Sequence, residues 1–302
     1  MKLFDLHCDT LVEIEKNKEP LRQNQRQLST GQTEGWEQYA QIFAIWSDPS
    51  RSEEENYKAF FRVLAYAKEH FAEWGEPFPS RRFLLSVEGG RLLGDDLSRL
   101  DTLKRAGVRI LTPVWGGTCR IGGAHDTKEG LTPFGREVIR RCHELAILTD
   151  LSHASDALFW DTAEMAKEDG VPILATHSCA RAIQNHSRNL TDEMLSAIAQ
   201  SGGIVGVTLV TPFLGGDTLD DVEKHIAHCL SVCGEDAVCL GCDFDGTSDL
   251  PREIQKVGDM TRLWEKLSEN RYSERLLEKI FYSNARNFFD VWNHDPESAI
   301  MM

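Results

Sequence analysis

The sequence predicts a (β/α)8 barrel, an α/β fold formed as one domain over residues 1–302. Three observations point there. Short apolar runs alternate with amphipathic helical stretches along the whole chain. Eight such apolar runs are present. Histidines and carboxylates recur at their C-terminal ends, which is where barrels of this kind build their sites. A doubly wound open sheet is the competing arrangement. It does not need eight strands, and it places ligands at one crevice rather than around a rim. No linker, internal repeat or low-complexity segment divides the chain.

The elements run in order along the chain. FDLHCDT, residues 4–10, is a strand that ends in His7 and Asp9. Side chains alternate faces along a strand, so these two point together and Cys8 points away. The polar segment from Glu13 to Glu37 is long for a plain loop and is expected to cover a site. AQIFAIW, 40–46, is the second strand. SEEE, 52–55, is a capping box that opens a helix to about Ala72. RFLLSV, 82–87, is the third strand and runs into Glu88, with a helix over 96–106 behind it.

VRILT, 108–112, is the fourth strand, and a glycine-rich loop over 115–130 comes after it. Thr132-Pro133 starts a helix that runs to about Leu145. AILTDL, 146–151, is the fifth strand and leads to His153. VPILAT, 171–176, is the sixth and leads to His177. A helix over 191–200 precedes the seventh strand, 203–210. The eighth strand, 237–241, leads to Asp243, and the tail from about Thr261 reads as helical.

Composition narrows the function. Asp and Glu number 48 against 33 Lys and Arg, a net charge of −15, which argues against nucleic acid as a partner. No apolar run approaches the roughly 18–20 residues a membrane span needs, and no signal peptide or anchor tail is expected. The eight cysteines are read as reduced thiols of a cytoplasmic protein. Cys229, Cys233, Cys239 and Cys242 have a spacing that superficially fits zinc, but Cys239 and Cys242 fall on opposite faces of a strand. They are read as buried apolar thiols.

The strand ends gather His7, Asp9, Glu88, His153, His177 and Asp243. Imidazole and carboxylate are ligands for divalent cations. Three of each at one mouth suit two ions sharing a bridging carboxylate better than a single ion. Of the other histidines, His70, His143 and His294 read as solvated, and His225 and His228 lie three apart on a helix.

FDLHCDT, SVEGG (86–90), GLTPFGREV (130–138), TDLSHAS (149–155), THSCAR (176–181), HSRNLTD (186–192) and GCDFDG (241–246) stand in an order that resembles the membrane dipeptidase (renal dipeptidase, peptidase M19) family. The resemblance implies a metal-dependent hydrolase on a TIM barrel with two divalent metal ions, expected to be Zn2+. It implies that His7 and Asp9 bind one ion, that His153 and His177 bind the other, and that Glu88 bridges them. It gives Asp243 the proton transfers, in preference to its neighbour Asp245, and Arg188 the substrate's free carboxylate, with His186 ordering that arginine. The implied reaction is hydrolysis of dipeptides, including some with a C-terminal D-residue, through a metal-bridged hydroxide. Small dipeptides are then the expected partners, without nucleic acid or membrane, and a homodimer is common among such proteins. The alternative is a related binuclear barrel hydrolase acting on lactones, cyclic amides or phosphotriesters. Such relatives often bridge their ions with a modified lysine on the fourth strand, and VRILT has none. A barrel kept only as a scaffold would be expected to have lost ligands.

One position departs from the better-known members, which carry a histidine just after the fourth strand on the substrate's carbonyl side. Trp115 stands there. Its indole N–H could donate one hydrogen bond, or its ring could wall the pocket. His125, in the loop with Gly116, Gly117, Gly122 and Gly123, could instead fold back over the site and supply the donor. The same glycines equally suit a surface loop.

Overall fold

The computed structural model describes residues 1–72 and 81–292. Its strands are β1 (Lys2–Cys8), β2 (Gln38–Trp46), β3 (Arg81–Glu88), β4 (Val108–Thr112), β5 (Leu148–Thr149), β6 (Ala175–Ser178), β7 (Val205–Val207) and β8 (Val238–Leu240). The helices are α1 (Thr10–Asn17), α2 (Glu53–Ala72), α3 (Ser98–Arg105), α4 (Pro133–Glu144), α5 (Asp156–Asp169), α6 (Asp192–Gln200), α7 (Thr211–Leu214), α8 (Leu219–Cys233), α9 (Met260–Glu269), α10 (Glu274–Glu278) and α11 (Asn284–Trp292). A π turn, Lys279–Ser283, joins α10 to α11.

The strands lie in the order β5-β4-β3-β2-β1-β8-β7-β6, and every paired neighbour is parallel. A parallel bridge between Asp150 and Leu174 brings the β5 end to the β6 end. The Leu151 N–H completes that join by donating to Leu174 O at 2.8 Å. The eight-stranded barrel is therefore as predicted. β5, β6 and β7 are shorter than the apolar runs suggested, because only a few residues of each pair in regular register. Glu13 falls within α1, and a 3-10 turn occupies Thr30–Thr33, so the polar segment is partly helical. The predicted starts of α2 and α4 hold: Ser52 and Glu55 bond reciprocally, and Thr132 caps the Gly135 N–H at 2.9 Å.

Phe4, Leu6, Ala40, Ile42, Leu84, Ile110, Leu148, Leu174, Ile204 and Cys239 form one apolar cluster, drawn from every strand or the residue just before it. That is the barrel interior. Ala285, Phe288 and Phe289 of α11 join it, and Phe4 stacks on Phe289 at 5.5 Å. α11 thus plugs the N-terminal end, and the C-terminal end is left for the site. A larger cluster, which includes Cys8 and Cys242, packs strands against the outer helices.

Two strands break phase where they reach that end. On β1, Asp5 pairs with Gln41 and Cys8 with Phe43, so three steps match two. On β6, Ala175 pairs with Val205 and Ser178 with Val207, again three against two. Each is a β-bulge, which re-aims side chains. Phe4 and Leu6 face inward, yet so does His7, while Cys8 turns outward. Buried aspartates hold both bulges: Asp5 Oδ1 accepts the His7 N–H at 3.4 Å and the Cys242 N–H at 2.7 Å, and Asp150 Oδ1 accepts the Thr176 N–H at 2.9 Å. The bulged Thr176 carbonyl presses on the next strands. A Cβ on Gly206 or Gly241 would lie 2.0 or 1.7 Å from it, so glycine is required at both.

Asp245 ties the polar segment to the rim. Its carboxylate accepts the Gln27 N–H at 2.7 Å, the Leu28 N–H at 3.3 Å and the Thr10 hydroxyl at 2.6 Å. Asp245→Ala should leave those donors unmatched and destabilise the fold by about 1–3 kcal/mol. Chemical denaturation should read that loss, with faster amide exchange at Gln27 and Leu28.

Candidate metal centre

Each predicted ligand arrives at the mouth by its own element. His7 and Asp9 come off the β1 bulge, Glu88 ends β3, His153 lies in the loop after β5, His177 is in β6, and Asp243 lies just beyond β8. The structure brings all six together. His7 Nε2 lies 3.5 Å from Asp9 Oδ2, and 3.8 Å from both Glu88 Oε1 and Asp243 Oδ1. Glu88 Oε1 lies 2.8 Å from His153 Nε2 and 3.4 Å from His177 Nε2. The last two nitrogens are 3.0 Å apart. Glu88 therefore reaches both halves of the cluster, as a bridging carboxylate must.

These side chains fit divalent cations. His7 Nε2 and Asp9 Oδ1 are buried without a hydrogen-bond partner. Glu88, His153 and His177 form one group, and His7, Asp9 and Asp243 another, with candidate ligand atoms within 4.8 Å of one another in each. Gly246 makes the room: a Cβ there would lie 2.2 Å from Asp243 Oδ1 and 2.5 Å from Asp9 Oδ2. Asp243 and Asp245 both have left-handed backbone, φ 62° and 66°, a conformation that aspartate tolerates better than most residues. That turn sends the two carboxylates apart, Asp243 to the cluster and Asp245 to Gln27 and Leu28.

The electrostatics match crowded acceptors. Burial alone would lower the His7 imidazole, but Glu88, Asp9 and Asp243 outweigh it and hold it up to about 10. Burial first, then Asp9 and Glu88, lifts Asp243 to about 8 against the pull of His7. Burial and Glu88 raise Asp9 to about 6. Burial also raises Glu88. His153 and His177 are pushed well below their usual range, chiefly by burial. Their Nε2 atoms keep lone pairs for a metal.

The substrate-side candidates also reach the mouth. Arg188 is buried, donates to the Ser152 and His177 carbonyls, and sits 3.2 Å from His153 Nε2. Its guanidinium lies over the Phe213 ring at 5.0 Å. The His186 Nδ1 accepts the Arg188 backbone N–H at 3.1 Å, so His186 does order that segment. Trp115 is 38% exposed, edge-on to Trp46 and stacked near His153. His125 lies 6.2 Å from the His153 ring, and its Nδ1 meets Ser187 Oγ at 2.8 Å.

Other residues named from the sequence also find their places. The glycines around His125 serve close packing: a Cβ at Gly122 would lie 2.6 Å from Gly130 O, and one at Gly123 2.2 Å from Thr127 Oγ1. His225 bonds Ala180 N and Leu214 O, and His228 pairs with Asp192, so the two do not converge on an ion. His143 is buried against Asp169 rather than solvated, and His294 lies outside the described residues. All eight cysteines are free thiols, and among the described residues none joins a candidate metal group. Sequence reasoning missed Asp150, Thr176 and the Trp115 carbonyl, which accepts from His153 Nδ1 at 2.8 Å. A buried Asp and Thr inside otherwise apolar strand ends were the available signal.

Comparison with known proteins is consistent with this geometry. Residues 1–295 match the family described as Membrane dipeptidase (Peptidase family M19). An uncharacterized protein in the pqqA 5' region of Klebsiella pneumoniae is 36% identical over 222 residues, 68% of this chain and 80% of that one. Dipeptidase 3 of Homo sapiens is 32% identical over 68% of this chain, and the match spans 44% of that protein's length. A crystal structure of a metallopeptidase from Rhodobacter sphaeroides, liganded with a phosphinate mimic of the dipeptide L-Ala-D-Ala, superposes with a TM-score of 0.88 at 25% identity, covering 96% and 99% of the two chains.

Two results are expected. Glu88→Gln should weaken both metal positions at once, seen as loss of stoichiometry in metal analysis, because one residue reaches both groups. Metal affinity should fall as pH drops from about 10 towards 6, as His7, then Asp243, then Asp9 retain protons that must leave before a cation binds. Calorimetry at pH 7 in buffers of different ionisation heat should detect the released protons. A buffer-independent heat would contradict it.

Proposed function

The chain belongs to the membrane dipeptidase family (peptidase family M19) and is a metallopeptidase-type hydrolase of peptide bonds; from that premise we propose that it is a zinc-dependent dipeptidase whose substrates include dipeptides with a C-terminal D-residue. The observation that carries the reading is the convergence of His7, Asp9, Glu88, His153 and His177 on one pocket beside Asp243 and Arg188. The L-Ala-D-Ala mimic bound by the Rhodobacter sphaeroides relative supports the stereochemical part.

His7 and Asp9 would hold one cation, His153 and His177 the other, and Glu88 both. When bound, the ions polarise the scissile carbonyl and lower the pKa of water towards neutrality. The protein supplies the rest. Asp243 is the carboxylate placed to take a proton from the attacking water and deliver it to the leaving amine. Arg188 offers a planar, always-charged fork that matches a free carboxylate. Its burial limits water around that pair and strengthens it. Trp115 and Trp46 form an aromatic wall at the rim.

His125 is the candidate donor to the developing oxyanion. Burial, with Arg188 and His153, lowers its pKa to about 4, so the ring is neutral near pH 7. If Ser187 Oγ–H donates to Nδ1, the proton of that neutral ring lies on Nε2 and is available to donate. Small dipeptides as partners, a cytoplasmic setting and a homodimeric assembly complete the reading. Among the described residues no helix is long and apolar enough to cross a membrane.

A clamp at the C-terminal carboxylate sets a length limit. Dipeptides should be cleaved, and tripeptides or C-terminally amidated dipeptides scarcely. Arg188→Ala should chiefly raise KM, with kcat falling as well if the clamp also positions the bond. Equal turnover of free and amidated dipeptides would sink this part. His125→Ala should lower kcat by up to about 1,000-fold, the scale for losing an oxyanion donor. Steady-state kinetics with wild-type kcat would leave Trp115 or the metals in that role.

A further inference from the structure

Thr176 stands between the two halves of the metal centre. Its Oγ1 lies 2.8 Å from His177 Nδ1, 3.4 Å from His7 Nδ1 and 2.7 Å from Asp150 Oδ2. Asp150 is buried at the end of β5 and is saturated with donors. Its Oδ1 accepts from the Ser152 N–H at 3.1 Å, the Ser152 hydroxyl at 2.6 Å and the Thr176 N–H at 2.9 Å. Its Oδ2 accepts from the Thr112 and Thr176 hydroxyls, both at 2.7 Å. A hydroxyl has one proton and two acceptor sites. With the Thr176 proton given to Asp150, its lone pairs can receive only N–H groups. Both histidines must then carry hydrogen on Nδ1, which leaves Nε2 as the nitrogen that faces the pocket, bare in neutral His177 and freed in His7 once its second proton leaves.

We propose that Asp150 and Thr176 are a positioning pair that sets the tautomer of His7 and His177 together, one histidine from each metal position. The inference rests on the two-metal reading above. Asp150 lies close enough to His7 and His177 to resemble a third ligand group, but its oxygens are already filled. It acts through Thr176 and touches neither ion nor substrate. His153 is oriented independently, by the Trp115 carbonyl.

Asp150→Asn tests the pair, because the fold dictates how the amide must sit. The Oδ1 position faces two backbone N–H groups, which can only donate, so the asparagine oxygen must occupy it. The NH2 then faces Thr112 and Thr176. Thr176 accepts from it and turns its own proton towards the histidines, which favours hydrogen on Nε2. The 15N spectrum of the metal-free protein, read at His177, should shift from the Nδ1–H to the Nε2–H pattern while circular dichroism stays native. Zinc affinity, measured by chelator competition, should fall about 10- to 100-fold, the usual scale for a lost outer-shell partner. Thr176→Val should weaken zinc similarly, and Thr176→Ser should retain wild-type affinity. Unchanged His177 tautomer in Asp150→Asn, or wild-type zinc affinity in Thr176→Val, overturns the proposal. Failure of the wild-type chain to bind zinc would refute the two-metal reading instead, and the His177 spectrum would still decide the positioning role.

Discussion

The site depends on two β-bulges held by buried carboxylates. Regular alternation along β1 would put Cys8, not His7, on the face shared by Phe4 and Leu6. The extra residue in each ladder turns His7 and His177 into the mouth while the apolar layer beneath them stays intact. Burying a carboxylate is costly unless its oxygens are bonded. Asp150 meets that requirement fully, with five donors. Asp5 meets it in part: Oδ1 holds two backbone N–H groups, Oδ2 is buried without a partner, and burial lifts the carboxyl to about 6. The fold accepts that penalty at a point where the backbone carries His7, a candidate metal ligand.

Charge gives the same picture from a different direction. Asp9, Glu88 and Asp243 crowd a pocket walled by the apolar barrel, and each is raised above its usual range. Carboxylates so placed repel one another, and a low-dielectric wall makes that repulsion larger. His7 is held in its charged form by the same three groups, which makes it their local counter-charge. A sequence optimised for stability alone would not gather these residues. Local conflict with good packing is what a functional site on a stable scaffold looks like.

Much of this is legible in the chain, because barrel sites are built at strand ends and the strands are apolar. The candidate ligand residues His7, Asp9, Glu88, His153 and His177, which the structure brings together, can be found by looking at the polar residues that close each apolar run. The bulges cannot, since a two-against-one pairing depends on a neighbouring strand's register. Asp150 and Thr176 are hidden for a related reason. Each sits beside a more conspicuous histidine, and its role appears only when β5, β6 and β1 are placed side by side. The apolar runs overstate the lengths of β5, β6 and β7 because they continue beyond the paired residues. The start of the polar segment reads as loop because α1 is polar on much of its surface, with only Thr10, Leu11, Ile14 and Glu15 buried.

The loop after β4 is a fixed wall rather than a swinging flap. Bridges join Thr118 to Gly123, Gly122 to Leu131 and Ala124 to Ala154, and the Ser155 N–H donates to Gly123 O. His153 is the point where this wall meets the metal centre. Its Nδ1 hydrogen goes to the Trp115 carbonyl, its own carbonyl accepts the His125 N–H at 2.8 Å, and its Nε2 faces Glu88. Both candidates for contact with the substrate's carbonyl are therefore anchored, by backbone, to one candidate metal ligand. This hold does not depend on which side chain stands at position 115. Trp115 and His125, both in this loop, each meet His153 through the main chain.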